Sequence, residues 1–381
     1  MRVLKPIEAA YAADNVYRVM HSNDLTVFHP SIEEHFNLSA GKRISGTSGA
    51  LLLKSKTGFG VISKGKGDYR GDAIMVFRGT KLMPHDLITD ANVGFQTSAT
   101  GKIVHAGFNN VFKSMEGEIA RFLRGLNPHR IHCVGHSLGG ALATLAADYV
   151  AEKNIARPVL YTFGCPRVGG RTFAESLTHE AGESNIFRVY HKNDPVSMIP
   201  LWPFIHVPMP GTECFVDSSL SLLQAHSMEN YINSVSSANS YSSLKIKQPG
   251  MDWDSQVEAW LGSKSVVGFT IHTMKMIHNA IMYLVKKVFK LLGIGIQAGL
   301  SAGLTFLDQL SMLLAKGAKA SKEVAEGVGN LLTRILAMLG RGLRKIGEVT
   351  IDFIRWVFST LSRSLYQMAG SSIAAVHSVL R

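Results

Sequence analysis

Ser137 stands at the centre of Gly135-His136-Ser137-Leu138-Gly139, directly between an apolar segment at 130–134 and an Ala- and Leu-rich segment at 141–153. The spacing G-x-S-x-G between a strand and a helix describes a nucleophile carried on a sharp, strained turn. The reason is steric. So tight a turn leaves no room for side chains two residues either side of the serine. Gly140 and Ala141 extend the run of small residues and let the following helix approach the strands. The competing reading is a plain glycine-rich turn.

A serine hydroxyl attacks only when a base removes its proton, and that base needs an acid to orient it. Where a G-x-S-x-G serine comes first, the acid and then the histidine follow in the chain. Asp194 follows an apolar segment at 186–191 and precedes Pro195, on a loop at a strand's end. A turn-capping aspartate is its alternative role. Downstream of it lie His206, His226 and three histidines of the C-terminal region. His226 opens a helix-like segment, from which a loop can aim it. His206 sits in the extended run Pro203-Phe204-Ile205-His206-Val207-Pro208, which suits packing better than catalysis. A tetrahedral intermediate also needs donors for its oxyanion. The N–H of Leu138 is one, and Thr80 in Phe77-Arg78-Gly79-Thr80 offers a second through its N–H and hydroxyl. An ordinary strand-ending turn is the alternative there. His105, Arg167 and Asp90 read as polar anchors that hold loops near the site.

The elements needed to hold these residues are legible as strands alternating with helices. The continuous apolar run 73–77 suits a strand covered on both faces, and 50–64 reads as two short strands around a turn at 56–60. Strands at 130–134, 159–163 and 186–191 alternate with helices at 106–126, 141–153 and 171–181, and residues 1–20 have near-helical apolar spacing. The pattern predicts an α/β fold with a mainly parallel central sheet. Residues 1–245 are expected to form this domain, and 246–263 a linker. Residues 264–381 are expected to be all helical, with long helices at 266–289 and 331–365.

Several ordered blocks, read together, resemble the class 3 lipases, the fungal-lipase-like branch of the α/β-hydrolases. They are Phe77–Thr80, Asp86-Leu87-Ile88-Thr89-Asp90, Val104-His105-Ala106-Gly107-Phe108, Gly135–Gly140, Thr162–Gly169, Asn193-Asp194-Pro195-Val196 and His226 with Tyr231. The similarity runs from about residue 1 to 235. It implies a triad of Ser137, Asp194 and His226, with Thr80 and Leu138 forming the oxyanion hole. Leu87 stands where family members often carry an aromatic residue. No H-E-x-x-H, Walker or dinucleotide motif occurs, so neither a metal nor another cofactor is implied.

Bulk composition separates two surroundings. About 46% of the 381 residues are hydrophobic, ample for a large core, and the net charge is +12. Residues 264–381 hold 15 Lys/Arg against 5 Asp/Glu, so nearly all of the excess lies there. A tail this rich in Leu, Ile, Val and Met fits an anionic membrane surface better than nucleic acid. Burial as a helical cap, or docking of another protein, are its other readings. The charge-free stretch 291–307 is slightly short for a membrane span, although Gly295, Gly299 and Gly303 form a small-xxx-small ridge. Cys133, Cys165 and Cys214 make no disulfide framework, which points to a reducing compartment, and the first 20 residues do not read as a signal peptide. Cytoplasmic synthesis and either membrane association or a leaderless export route are therefore expected.

The combined expectation is a serine esterase acting on lipid acyl esters, most naturally membrane glycerophospholipids in a phospholipase A reaction. A triacylglycerol or monoacylglycerol lipase, or an acyltransferase, would use the same triad. A membrane-permeabilising protein acting through its tail is the non-enzymatic alternative. A leaderless lipase with a membrane-seeking tail also resembles antibacterial phospholipase effectors of bacteria, which would imply an immunity or delivery protein as partner.

Overall fold

The computed structural model describes residues 2–20, 25–48, 55–79, 94–209, 213–216, 220–244, 253–263, 267–293, 304–341 and 349–378. The chain begins with helices α1 (Pro6–Asn15) and α2 (Pro30–Glu33). Strands β1 (Lys42–Ser48), β2 (Ser55–Lys64) and β3 (Ala73–Phe77) follow. A small antiparallel hairpin, β4 (Phe95–Thr97) with β5 (Ile103–His105), leads into α3 (Ala106–Leu123). Then come β6 (Arg130–His136), α4 (Leu138–Glu152), β7 (Arg157–Phe163), α5 (Arg171–Ala181), β8 (Ile186–His191), β9 (Cys214–Val216) and α6 (Met228–Val235).

Among the described residues the main sheet has seven strands in the order β1-β2-β3-β6-β7-β8-β9. The contacts β3–β6, β6–β7, β7–β8 and β8–β9 are parallel, while β1–β2 and β2–β3 are antiparallel. The mainly parallel α/β sheet expected from the sequence is therefore present. Its apolar strands are continuous because each face has its own cover. Ala73, Met75 and Phe77 of β3 join the core that contains α3 and α4, while Ile74 and Val76 join the core under α1 and α6. The same alternation places Leu160 of β7 on the first side, and Val159 and Tyr161 on the second.

Two sequence expectations need correction. The segment 50–64 does not form a hairpin about a turn at 56–60: β2 runs unbroken from Ser55 to Lys64, and β1 lies further upstream at Lys42–Ser48. Gly58 and Gly60, which suggested the turn, are paired inside the sheet, Gly60 opposite Phe77. Likewise 331–365 is not one helix. It is divided between α10 (Lys322–Met338) and α11 (Ile351–Ser378), and Gly340, at φ 66°, lies past the end of the first.

The remaining C-terminal helices are α7 (Trp253–Gly262), α8 (Ile271–Leu292) and α9 (Phe306–Ala320). Helix α7 lies within the segment expected as a linker, and its Val257 and Leu261 are buried. Thr270 caps α8 by accepting from the Thr273 N–H, and Thr305 with Asp308 forms a reciprocal capping box on α9. The buried faces of α8–α11 belong to the same apolar core as α3, α4 and α5. Phe306 meets Phe204 edge-on at 6.2 Å, and the Ser372 hydroxyl donates to the Leu222 carbonyl at 2.9 Å. Among the described residues no helix is long and apolar enough to cross a membrane. Gly295, Gly299 and Gly303 lie outside the described residues. Cys133, Cys165 and Cys214 are buried free thiols.

Burial pushes the His105 imidazole down to about 3, and it also lowers His132 and His191. Between their ordinary value near 6.5 and these lowered values, the unfolded chain binds protons that the folded chain refuses. Stability is therefore highest above about pH 6.5 and falls as the pH drops. For His105 alone the cost between pH 7 and 5 is about 2 kcal/mol. Calorimetric melting at these two pH values should show a clear fall in Tm on acidification, and His105→Gln should shrink the fall. An unchanged Tm would contradict the account.

Candidate active site

β6 ends at His136, and α4 begins at Leu138. Ser137 alone joins them, with φ 58° and ψ −130°, in the positive-φ region that L-residues rarely occupy. This strain is held by packing on both sides. A Cβ on Gly139 would lie 2.1 Å from the Phe77 carbonyl oxygen, so only glycine lets α4 sit against β3 there. The Ser137 N–H donates to the Phe163 carbonyl at 3.0 Å, locking the turn onto β7. Its side chain is buried, and Oγ has no hydrogen-bond partner. The sequence placed the start of α4 at 141. The helix starts three residues earlier, which puts the Leu138 N–H in its first turn, where helical amides have no internal acceptor.

Asp194 follows β8 in a turn and is itself completely buried. Three donors converge on its carboxylate. The Val196 N–H reaches Oδ1 at 2.9 Å, the Tyr231 hydroxyl reaches Oδ2 at 2.7 Å, and His226 Nδ1 lies 2.9 Å from Oδ2 and 3.0 Å from Oδ1. His226 precedes Ser227, the N-cap residue of α6, and its ring is buried. With the Nδ1 proton directed at Asp194, Nε2 carries the free lone pair, and it has no hydrogen-bond partner. Gly164, at the end of β7, must be glycine beside this pair. Its φ is 53°, and a Cβ there would lie 2.4 Å from Asp194 Oδ2.

The structure thus joins His226 to Asp194 directly and places both beside the turn that carries Ser137. The link is His136. Its Nε2 lies 2.9 Å from the His226 carbonyl oxygen, and the two rings are 4.5 Å apart. Ser137 Oγ and His226 Nε2 are not hydrogen-bonded to each other. Thr80, and the block Asp86–Asp90, lie outside the described residues. The preceding Gly79 is close to the nucleophile: a Cβ built there would be 3.1 Å from Ser137 Cβ. Arg78 grips this stretch, donating to the Gly79 carbonyl at 2.6 Å and to Thr57 Oγ1 at 3.0 Å. Its guanidinium also lies over the Phe59 ring.

Sequence reasoning passed over Tyr17 and gave Tyr231, although it marked that block, no role. Tyr231 fastens Asp194, and it also accepts from the His191 N–H at 3.1 Å. Burial and the neighbouring carboxylate raise its pKa well above the ordinary value, so it remains a donor. Tyr17, just beyond α1, lies 2.8 Å from His136 Nδ1 and accepts from the Gly79 backbone. It thereby ties the Gly79 stretch to the turn that carries Ser137. His206 is not joined to this pair: its Nε2 lies 2.8 Å from the Ser197 carbonyl oxygen, and it lines a cavity that Asp194 also reaches. His105 is buried against Phe108, and Arg167 donates to the carbonyls of Met198 and Pro200, which are anchoring contacts.

The family model described as Lipase (class 3) matches residues 74–204. Secreted mono- and diacylglycerol lipase 1 of Fusarium solani is 33% identical over 155 residues, which are 39% of this chain and 45% of that protein. Phospholipase A1-II 1 of Oryza sativa subsp. indica is 30% identical over 201 residues, 44% of this chain and 50% of that protein. The chain thus spans half or less of the length of these curated relatives. The solved structure of lipase II from Rhizopus niveus aligns with 56% of this chain and 80% of that chain, at 26% identity and a TM-score of 0.42.

Proposed function

We propose that the chain is a serine esterase that hydrolyses acyl esters of lipids, a reading supported by the match of residues 74–204 to the class 3 lipase family model. Ser137, His226 and Asp194 are its triad. The observation that carries this reading is the buried Asp194–His226 pair beside a serine held at φ 58° between a strand and a helix. His226 Nε2 takes the proton from Ser137 as Oγ bonds to the ester carbonyl carbon. The carbonyl oxygen becomes an oxyanion, facing the Leu138 N–H at the positive end of α4, with Thr80 as the second donor. When the intermediate collapses, the C–O bond to the alcohol breaks, and the His226 proton leaves with that alcohol. Water then attacks the acyl-serine by the same route. It gives a proton to His226, the bond from the acyl carbon to Oγ breaks, and that proton passes from His226 to Ser137 Oγ as the fatty acid is released.

The preferred substrate is a glycerophospholipid in a bilayer. The basic excess of residues 264–381 supports this, as do the exposed Phe269, Leu291, Leu304, Ile351 and Trp356 of the same region. Such a surface suits an anionic interface. The buried faces of α8–α11 favour a helical region that rides on the domain and meets the membrane with its rim. Mass spectrometry of products from mixed phospholipid vesicles and from a triacylglycerol emulsion tests the substrate. Phospholipid turnover should yield one fatty acid and one lysophospholipid per molecule. Turnover of triacylglycerol alone would refute the bilayer assignment.

A further inference from the structure

A cavity of about 320 Å³ lies at the seam between the sheet and α8. Arg167, Arg188, Ser197 and His206 line it from the sheet side, and Lys275 and His278 line it from α8. Its charge is unbalanced. Arg188 pairs through Nη1 with Glu213 at 3.1 Å. Among the described residues no carboxylate lies within ion-pair distance of Arg167 or Lys275. Asp194, on the same wall, is already engaged by His226 and Tyr231. Arg167, Arg188, Lys192 and Lys275 stand against the carboxylates of Glu213 and Asp194 and leave two positive charges in excess, which is costly beside buried guanidiniums unless an anion answers them.

The hydrogen-bonding inventory points the same way. Arg188 is 3% exposed and Ser197 is 5% exposed, yet Arg188 Nε and Ser197 Oγ are buried without a hydrogen-bond partner, and so is His278 Nδ1. Three of the buried unpartnered polar atoms thus fall on residues that line this one cavity, although a native chain leaves only a few per hundred residues. Burial and the neighbouring Arg188 bring the Arg167 guanidinium down to about 9, and burial lowers Lys275. Both are marks of positive charge short of compensation. Arginine forks and a lysine ammonium are the donors that suit phosphate oxygens. The volume is at the small end of ligand sites.

We infer that this seam binds a phosphate dianion, free or as the monoester of a small alcohol or lipid, and that α8 completes the site. The inference goes beyond the esterase reading and does not rest on it. It is tested on the full chain carrying Ser137→Ala, so that no probe is consumed. Calorimetric titration is run with inorganic phosphate and with glycerol 3-phosphate. Co-sedimentation is run with phosphatidylcholine vesicles, with and without phosphatidic acid.

One-to-one binding of either soluble phosphate identifies a soluble occupant. Binding confined to phosphatidic acid vesicles identifies a lipid headgroup. In both cases Lys275→Met and His278→Ala should each weaken binding about tenfold or more, and Lys275→Arg should largely restore it. Circular dichroism and phosphate-free melting of the variants confirm that they are folded. No binding in any arm would overturn the inference, as would binding that neither Lys275→Met nor His278→Ala alters.

Discussion

Ser137→Ala is expected to lower kcat on a short-chain soluble ester by about 10⁶-fold, with the fold, melting temperature and vesicle binding retained. A loss of that order is what removal of an activated nucleophile costs when the remaining groups act only as part of its unit. It corresponds to about 8 kcal/mol of barrier at 1.36 kcal/mol per tenfold. The buried Oγ makes no hydrogen bond that alanine would break, so little stability is at stake. The variant also separates the proposed reading from a membrane-permeabilising one. If it still releases vesicle contents at the wild-type rate, the helical region acts without catalysis, and the esterase account of lipid damage is wrong.

Asp194→Asn should lower kcat by about 10⁴-fold with KM nearly unchanged. The smaller loss follows from geometry. The Asp194 carboxylate offers acceptors to Val196, Tyr231 and His226 at once, all within 3.0 Å. Asparagine keeps one oxygen and presents a donor in place of the other. Either the Val196 N–H or the Tyr231 hydroxyl then faces an NH₂, and the preference for the His226 tautomer with the proton on Nδ1 is weakened. The nucleophile and the Leu138 N–H stay in place, so a residual rate survives. A change of less than tenfold would mean that Asp194 does not orient the base.

Much of the site was legible because its demands are local. A serine at φ 58° against β3 requires glycine at 139, and chain order then narrows the acid and the base to a few residues. The roles of the two tyrosines were not legible. Tyr17 acts on a histidine 119 positions away, and a lone aromatic residue near the end of a helix carries no sign of where its hydroxyl lands. Glycine misled in β2, because a glycine paired inside a sheet and a glycine that turns a hairpin have the same one-letter code. In the C-terminal region the helical periodicity was readable. Which faces are buried was not, since a basic apolar helix suits a membrane and a protein core alike until its neighbours are known.

The central claim is that Ser137 is a nucleophile activated by His226. Active-site labelling with an alkyl fluorophosphonate, followed by peptide mass spectrometry, addresses it most directly, because such reagents phosphonylate a serine only where a base activates it. The account predicts one adduct per chain, on the peptide that contains Ser137, and its loss in His226→Ala. An adduct on another residue, or equal labelling of Ser137 without His226, would contradict it.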